Sequence, residues 1–384
     1  TITLIRLALD LHQNQLCRVL LLTYKGGSGT STIPAIPYTP SRRFLTDNSL
    51  PGRHASGMTS ARSLLVDPDT PGFYHCISRC VRRAWLCGID SYNGTSYEHR
   101  RDWVEQRLLE LAEIFAVGIH AYAVMSNHVH VVLRIDPLAA AAWTDEDVAI
   151  RWVRLFPATQ DGEIDDAGCR VKEQTLLGNA DRLAVCRQRL GSLAWFMRSL
   201  NEPIARRANR EDACTGRFWE GRYKCQALLD EAAVLTCMSY VDLNPIRAGI
   251  AENLETSSHT SAQRRIAIVQ GNPTRARQPL MPINITAAAE FLPITTENYL
   301  DLIDWTARLT RGDKRGRIEA TEPPILRKLG LSERQWHQQM LGTETNYWRA
   351  IGSAQALIEK AAAMGQGWLK GIGSAQRLLR PQPA

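Results

Sequence analysis

The stretch HVHVVLRI, His128 to Ile135, constrains the fold more than any other part of the chain. Val129, Val131, Leu133 and Ile135 occupy every second position and are all apolar, the period of a strand with one buried face. His128, His130, Val132 and Arg134 then share the opposite face. Asp136 and Pro137 stop the strand, and IHAYAVM before it reads as its partner, with Ser126 and Asn127 as a tight turn. The valine between the two histidines points into a core while both imidazoles project together on the other side.

The chain has 384 residues, of which 44% are apolar, enough to fill the cores of two domains. Arg, Asp or Gln interrupts every apolar run before it reaches the ~20 residues of a membrane span. Nine scattered cysteines point to a reducing cytoplasm and away from a disulfide scaffold. Cys76, Cys80 and Cys87 lie near His75 but lack paired zinc-knuckle spacing, so they read as buried thiols. Net charge is +7, and Arg187 to Lys224 holds nine Arg or Lys against four acids. Such a segment is either a phosphate-facing surface or a solvated helix face.

Residues 1–57 are rich in Ser, Thr, Pro and Arg, with Asp10 and Asp47 as their acids and Met58 as the first methionine of the chain. The expectation is that folded sequence starts near Met58, after translated upstream sequence or a disordered arm. VLLLTYKGGSGTST, within this segment, imitates a phosphate-binding loop. Thr30 stands where the motif needs Lys, and Pro34, Pro37 and Pro40 break the helix that must follow, which excludes an ATPase of this type.

From Met58 the order is a strand at Gly72 to Val81 and a helix over Tyr97 to Ala116 ended by Gly118. The hairpin comes next. Val104, Leu108, Leu111, Ala112 and Phe115 form the apolar stripe of that helix. Residues 138–190 are weakly patterned and read as an insertion, with DGEIDDAG loop-like. Gly191 to Ala208 is helical, GRFWEGRYKCQ is aromatic and basic, and a helix over Leu229 to Val241 is closed by Asn244 and Pro245.

Two imidazoles one residue apart on one face can bind a divalent ion and leave its shell open, as catalytic sites do. One hydrogen-bonded core histidine is the competing explanation. In this setting MSNHVHVVL and YVDLNPIRAGI, with the looser YHCISRCVRRAWL, resemble the single-tyrosine HUH transposases, and among them the REP-associated tyrosine transposases. The resemblance spans about residues 65–255; Cys80 and Val81 depart from it where many relatives carry Gly and Asn.

The resemblance implies an α+β fold, a ferredoxin-like antiparallel sheet with helices on one face, in an HUH domain over 58–256. It implies His128 and His130 as ligands of Mg²⁺ or Mn²⁺, completed by Gln226 if that segment is helical. It implies a tyrosine nucleophile: Tyr223, flanked by Arg217, Arg222 and Lys224, is the first choice and Tyr240 the alternative. Attack on single-stranded DNA beside a hairpin would give a 5′-phosphotyrosine and a free 3′-OH. Arg206, Arg207, Arg210, Arg217, Arg222 and Lys224 are expected to bind DNA, and Trp219 to stack on bases. Family habit further implies homodimers and a bacterial, nucleoid-associated location. A non-catalytic hairpin-binding regulator on the same fold is the alternative function. Residues 257–283 read as a linker and 284–384 as an all-α accessory region anchored by Trp305, Trp336, Trp348 and Trp368. ILRKLGLSERQW has helix-turn-helix spacing but reads better as part of that helical region.

Overall fold

A computed structural model describes residues 64–81, 86–90, 94–284, 292–310, 323–347 and 349–378. These residues belong to one unit, 59–384. The arm, the imitation phosphate loop and Trp348 lie outside the described residues.

Strand β1 (Gly72–Arg79) leads to helix α1 (Arg100–Ile114) and the hairpin β2 (Val117–Val124) and β3 (His128–Ile135). β6 (Lys224–Leu228) and β9 (Ala350–Ile351) complete a sheet in the order β2-β3-β1-β6-β9. The first four strands pair antiparallel, whereas β9 runs parallel to β6 at the edge. Gly118, which the sequence suggests as a helix stop, lies inside β2; Phe115 already leaves the helix with extended backbone.

The alternation expected of β3 sorts the sheet into two faces. Tyr74, Cys76, Val129, Val131 and Leu133 turn toward α1 and α6 (Leu193–Glu211), where Phe115 and Phe196 meet edge to face at 5.6 Å. Asn201 of α6 donates to the Ser78 hydroxyl at 2.9 Å, fixing which face α6 covers. Burial of α1 side chains such as Leu108 and Leu111 contributes about 1.5–3 kcal/mol each.

The other face is covered too, by α7 (Glu231–Asp242), so helices do not occupy one face only. His75, Ile77, His130, Val132 and Gln226 on that face are buried and so require cover there as well. Asp230 caps α7 by accepting from the Ala233 amide at 2.9 Å. Pro245 cannot extend α7, and the chain turns into the short α8 (Asn244–Arg247).

The weakly patterned 138–190 is mostly helical: α2 (Pro137–Ala142), α3 (Asp145–Leu155), α4 (Asp166–Leu177) and α5 (Ala180–Leu190). DGEIDDAG supplies the turn and second strand of a small hairpin, β4 (Thr159–Gln160) with β5 (Glu163–Ile164), and then opens α4. Thr144 and Asp147 form a reciprocal cap that starts α3. The expected linker holds α9 (Ser261–Gly271) and β7 (Pro279–Leu280), which pairs with β8 (Leu292–Thr295) before α10 (Thr296–Thr310). Buried Asp242 ties these parts together, accepting from the Ser261 hydroxyl, the Ala262 amide at 3.0 Å and the Tyr299 hydroxyl at 2.6 Å. Burial raises the pKa of this carboxyl, and the three donors oppose that rise.

Residues beyond 323 form α11 (Pro324–Lys328), α12 (Glu333–Gly342), α13 (Ala354–Ala363) and α14 (Ile372–Leu378), and contribute β9 to the sheet. The region is therefore not all-α. The helix-turn-helix spacing is present, but α12 buries Trp336 and packs against α7. Trp305 is buried as expected of an anchor, whereas Trp368 is exposed, on a turn that enters Gly371 at φ 121°. No described helix is long and apolar enough to cross a membrane.

Candidate active site

Strand register assembles a polar cluster on the α7 face. His75 pairs with Gln226, Ile77 with both His130 and Lys224, and Arg79 with His128. His75, Arg79, His128, His130, Lys224 and Gln226 therefore share one face of three adjacent strands. The His128 and His130 ring centroids are 4.7 Å apart, and His75 stacks on His130 at 5.2 Å.

Hydrogen bonds assign the protons on these rings. The Gln226 amide nitrogen donates to the carbonyls of Thr343 at 3.0 Å and Tyr347 at 3.5 Å, so its oxygen faces His75. His75 Nδ1–H donates to that oxygen at 2.8 Å, leaving Nε2 to accept from His130 Nδ1–H at 2.9 Å. His130 Nε2 is left as a bare lone pair, which accepts from the Asn244 amide at 3.0 Å. His128 Nδ1–H donates to Asn127 Oδ1 at 2.6 Å, so its Nε2 is bare as well. Metal-binding histidines are held in this way, with the second nitrogen donating to a fixed acceptor.

The rings are neutral at pH 7. Burial pushes His128 down to about 4, helped by Arg79, and takes His130 well below the ordinary histidine range, helped by His75 and His128. Burial lowers His75 too, against the opposing effect of Gln226.

Tyr240, on α7, stands over this cluster with its ring centroid 5.9 Å from that of His130 and 6.3 Å from that of His75. Its hydroxyl bonds to Glu344 and Arg247, whose guanidinium carbon lies 4.6 Å from the ring centroid. Burial, then the Glu344 charge, raises its pKa, so it rests as a phenol. Glu344 Oε1 is also 3.7 Å from His130 Nε2. Tyr223 is buried and immediately precedes β6. By the alternation of that strand it goes with Cys225 and Ala227 toward α1 and α6, opposite Gln226.

Gln226 sits on a strand, where the sequence expectation needed a helix, and it reaches His130 through His75. Lys224 and Arg79 are the exposed cations beside the histidines. Arg206, Arg207 and Arg210 lie on α6, with Arg206 paired to Glu202 and Arg207 3.8 Å from the Trp103 ring centroid. Arg217 and Arg222 are exposed between α6 and β6. Trp219 is half-buried, its indole N–H donating to the Asn201 carbonyl at 2.8 Å, and Phe218 is buried. Cys76, Cys80 and Cys87 are buried thiols, Cys80 donating to the Asn127 carbonyl at 3.2 Å and Cys87 to the Met125 carbonyl at 2.9 Å.

Sequence reasoning missed His75, Asn244, Arg247 and Glu344. Asn244 had a signal, being four residues beyond Tyr240 at the end of the same helix. Among the described residues, one His and carboxylate group has three ligand atoms all within 4.8 Å of one another: Asp102, Glu105 and His259, at the surface of α1. His128, His130 and Glu344 are spread wider, and their closure on one ion requires side-chain rotation.

No family model and no curated protein matches the chain. A solved structure described as "Structure of the REP associates tyrosine transposase bound to a REP hairpin" aligns with 57% of this chain and 91% of that one, at 11% identity and a TM-score of 0.27. A score that low carries no argument about this chain.

Proposed function

We propose that this chain is a metal-dependent DNA strand transferase of the single-tyrosine HUH type, with Tyr240 as its nucleophile. The observation that carries the reading is the Tyr240 ring beside His130 and His75, in the same cluster as His128. The strand order β2-β3-β1-β6, with α1 and α6 as crossovers on one face, supports a ferredoxin-like reading in which α7 and β9 are additions.

The donor set fits a divalent ion: two neutral imidazoles with bare Nε2 atoms and an amide that can turn its oxygen toward them. His128, His130 and Asn244 would hold Mg²⁺ or Mn²⁺, which when bound polarises a non-bridging phosphate oxygen. Arg79 and Lys224 would grip flanking phosphates of a single strand. The Tyr240 oxygen attacks phosphorus and the P–O3′ bond breaks. The phenol proton passes to solvent, and the leaving 3′-oxygen takes one up. The 5′-phosphotyrosine keeps the bond energy, so a 3′-OH can reverse the step without ATP.

Full-length protein incubated with a labelled single-stranded DNA hairpin and Mn²⁺ is expected to yield a covalent adduct on a denaturing gel. Tyr240→Phe should abolish the adduct and Tyr223→Phe should keep it. Hairpin binding without adduct, unchanged in His130→Ala, would favour a non-catalytic regulator instead.

A further inference from the structure

We infer that Glu344, on the turn after α12, is a ligand of the same divalent ion. The inference rests on the proposed function and extends it beyond the region of resemblance, which ends near residue 255.

Two acceptors face each other in this cluster. The relay from Gln226 through His75 leaves His130 Nε2 without a proton, and a Glu344 carboxylate oxygen stands 3.7 Å from it. Neutral donors satisfy both in this structure, the Asn244 amide on the nitrogen and the Tyr240 hydroxyl on the carboxylate, and a divalent ion would take the place of both. Two donors with bonds of about 2.1 Å to one ion can stand up to about 4.2 Å apart, so the separation is within reach. The Asn244 amide N–H already occupies the lone pair as a neutral substitute, at 3.0 Å.

The carboxylate is not there by accident of a loose tail. Gln226 bonds to Thr343 and Tyr347 on either side of it, α12 packs on α7, and the next residues pair with β6 as β9. Glu344 itself is one-third exposed, which leaves it room to pivot toward an ion, as His128 must also do. With it, the donors become two imidazoles, one amide oxygen and one carboxylate, a harder set than histidine alone and better suited to Mn²⁺ or Mg²⁺. The region beyond residue 284 then supplies part of the centre.

The test is Mn²⁺ titration of the full chain by calorimetry, with His259→Ala in the background to silence the surface group. Glu344→Gln is expected to weaken Mn²⁺ binding at least tenfold, since even outer-shell partners cost about 10–100-fold. The Mn²⁺-induced shift of a carboxylate infrared band should be present in the parent and missing in Glu344→Gln. Unchanged affinity in Glu344→Gln together with lost binding in His130→Ala would overturn the role of Glu344 and leave the site standing. Binding that survives His130→Ala would sink both.

Discussion

Among the described residues, two groups of side chains are candidates to take a cation, and they are built in opposite ways. Asp102, Glu105 and His259 already converge, with His259 Nε2 2.9 Å from Asp102 and 3.8 Å from Glu105. They lie at the surface, and Asp102 is mostly exposed. His128 and His130 are less converged, but each donates from its outer nitrogen, His128 to Asn127 and His130 to His75, and His130 lies beside Tyr240. Convergence is easily reached by surface carboxylates; a proton-ordered relay through buried groups is not. The difference teaches that the two groups can be told apart by their supporting hydrogen bonds as well as by their ligand distances.

The largest effect should come from cutting the relay at its root. Gln226→Leu removes the acceptor that orients His75 and strands two backbone carbonyls, so Mn²⁺ affinity at the His130 site should fall about 10–100-fold. Titration of the full chain checks it, and an unaltered affinity would break the comparison.

Acid should come next. His120 is buried with no hydrogen-bond partner for either ring nitrogen, and burial, helped by Arg265 and Arg134, depresses it to about 3. A lowered folded value means that stability is fully present above the ordinary value of 6.5 and is lost as the unfolded chain takes up protons below it. His120 alone should cost roughly 2 kcal/mol by pH 5, with His75, His128 and His130 adding loss in the same direction. Urea unfolding at pH 7.5, 6 and 5 measures this; a flat profile would contradict neutral buried rings.

His120→Leu sharpens the point, because this histidine has burial without a relay. The variant should gain about 1 kcal/mol at pH 7.5 by removing unpaired polar atoms, and the gain should grow toward pH 5. A loss of stability at both pH values would mean the ring is needed for packing. The smallest effect belongs to the surface group: His259→Ala should change stability by less than about 1 kcal/mol. Adduct formation should stay at the parental level, and a drop would transfer the catalytic role to that group.

The hairpin and α1 were legible because each buries one regular face: every second residue of β3, and Val104, Leu108 and Leu111 along α1. Within 138–190, α4 and α5 were not, since α4 buries Leu176 and little else and α5 buries only Leu183, Cys186 and Leu190, whereas α3 buries Val148, Ala149, Trp152, Val153 and Leu155, a stripe the sequence reading passed over. Short helices packed on one another carry a thin apolar signal. His128 and His130 could be read locally. His75 needed the pairing of β1 with β3, which no local pattern encodes. Tyr240 was visible as an alternative, and basic neighbours gave Tyr223 the preference; the proposal of Tyr240 rests on its ring lying beside His130 and His75. Glu344 had no signal, because α12 packing on α7 and the parallel pairing of β9 bring it to the histidines from far along the chain.

That parallel pairing has a consequence for anyone who shortens the protein. A fragment ending near residue 271 would keep His75, His128, His130, Tyr240 and Asn244, yet β6 would present a raw margin of amides and carbonyls where Ala350 and Ile351 now seal it. Such a fragment should pair with its own kind through that margin. Insolubility in it would be a symptom of the missing seam, and would say nothing about the chemistry upstream.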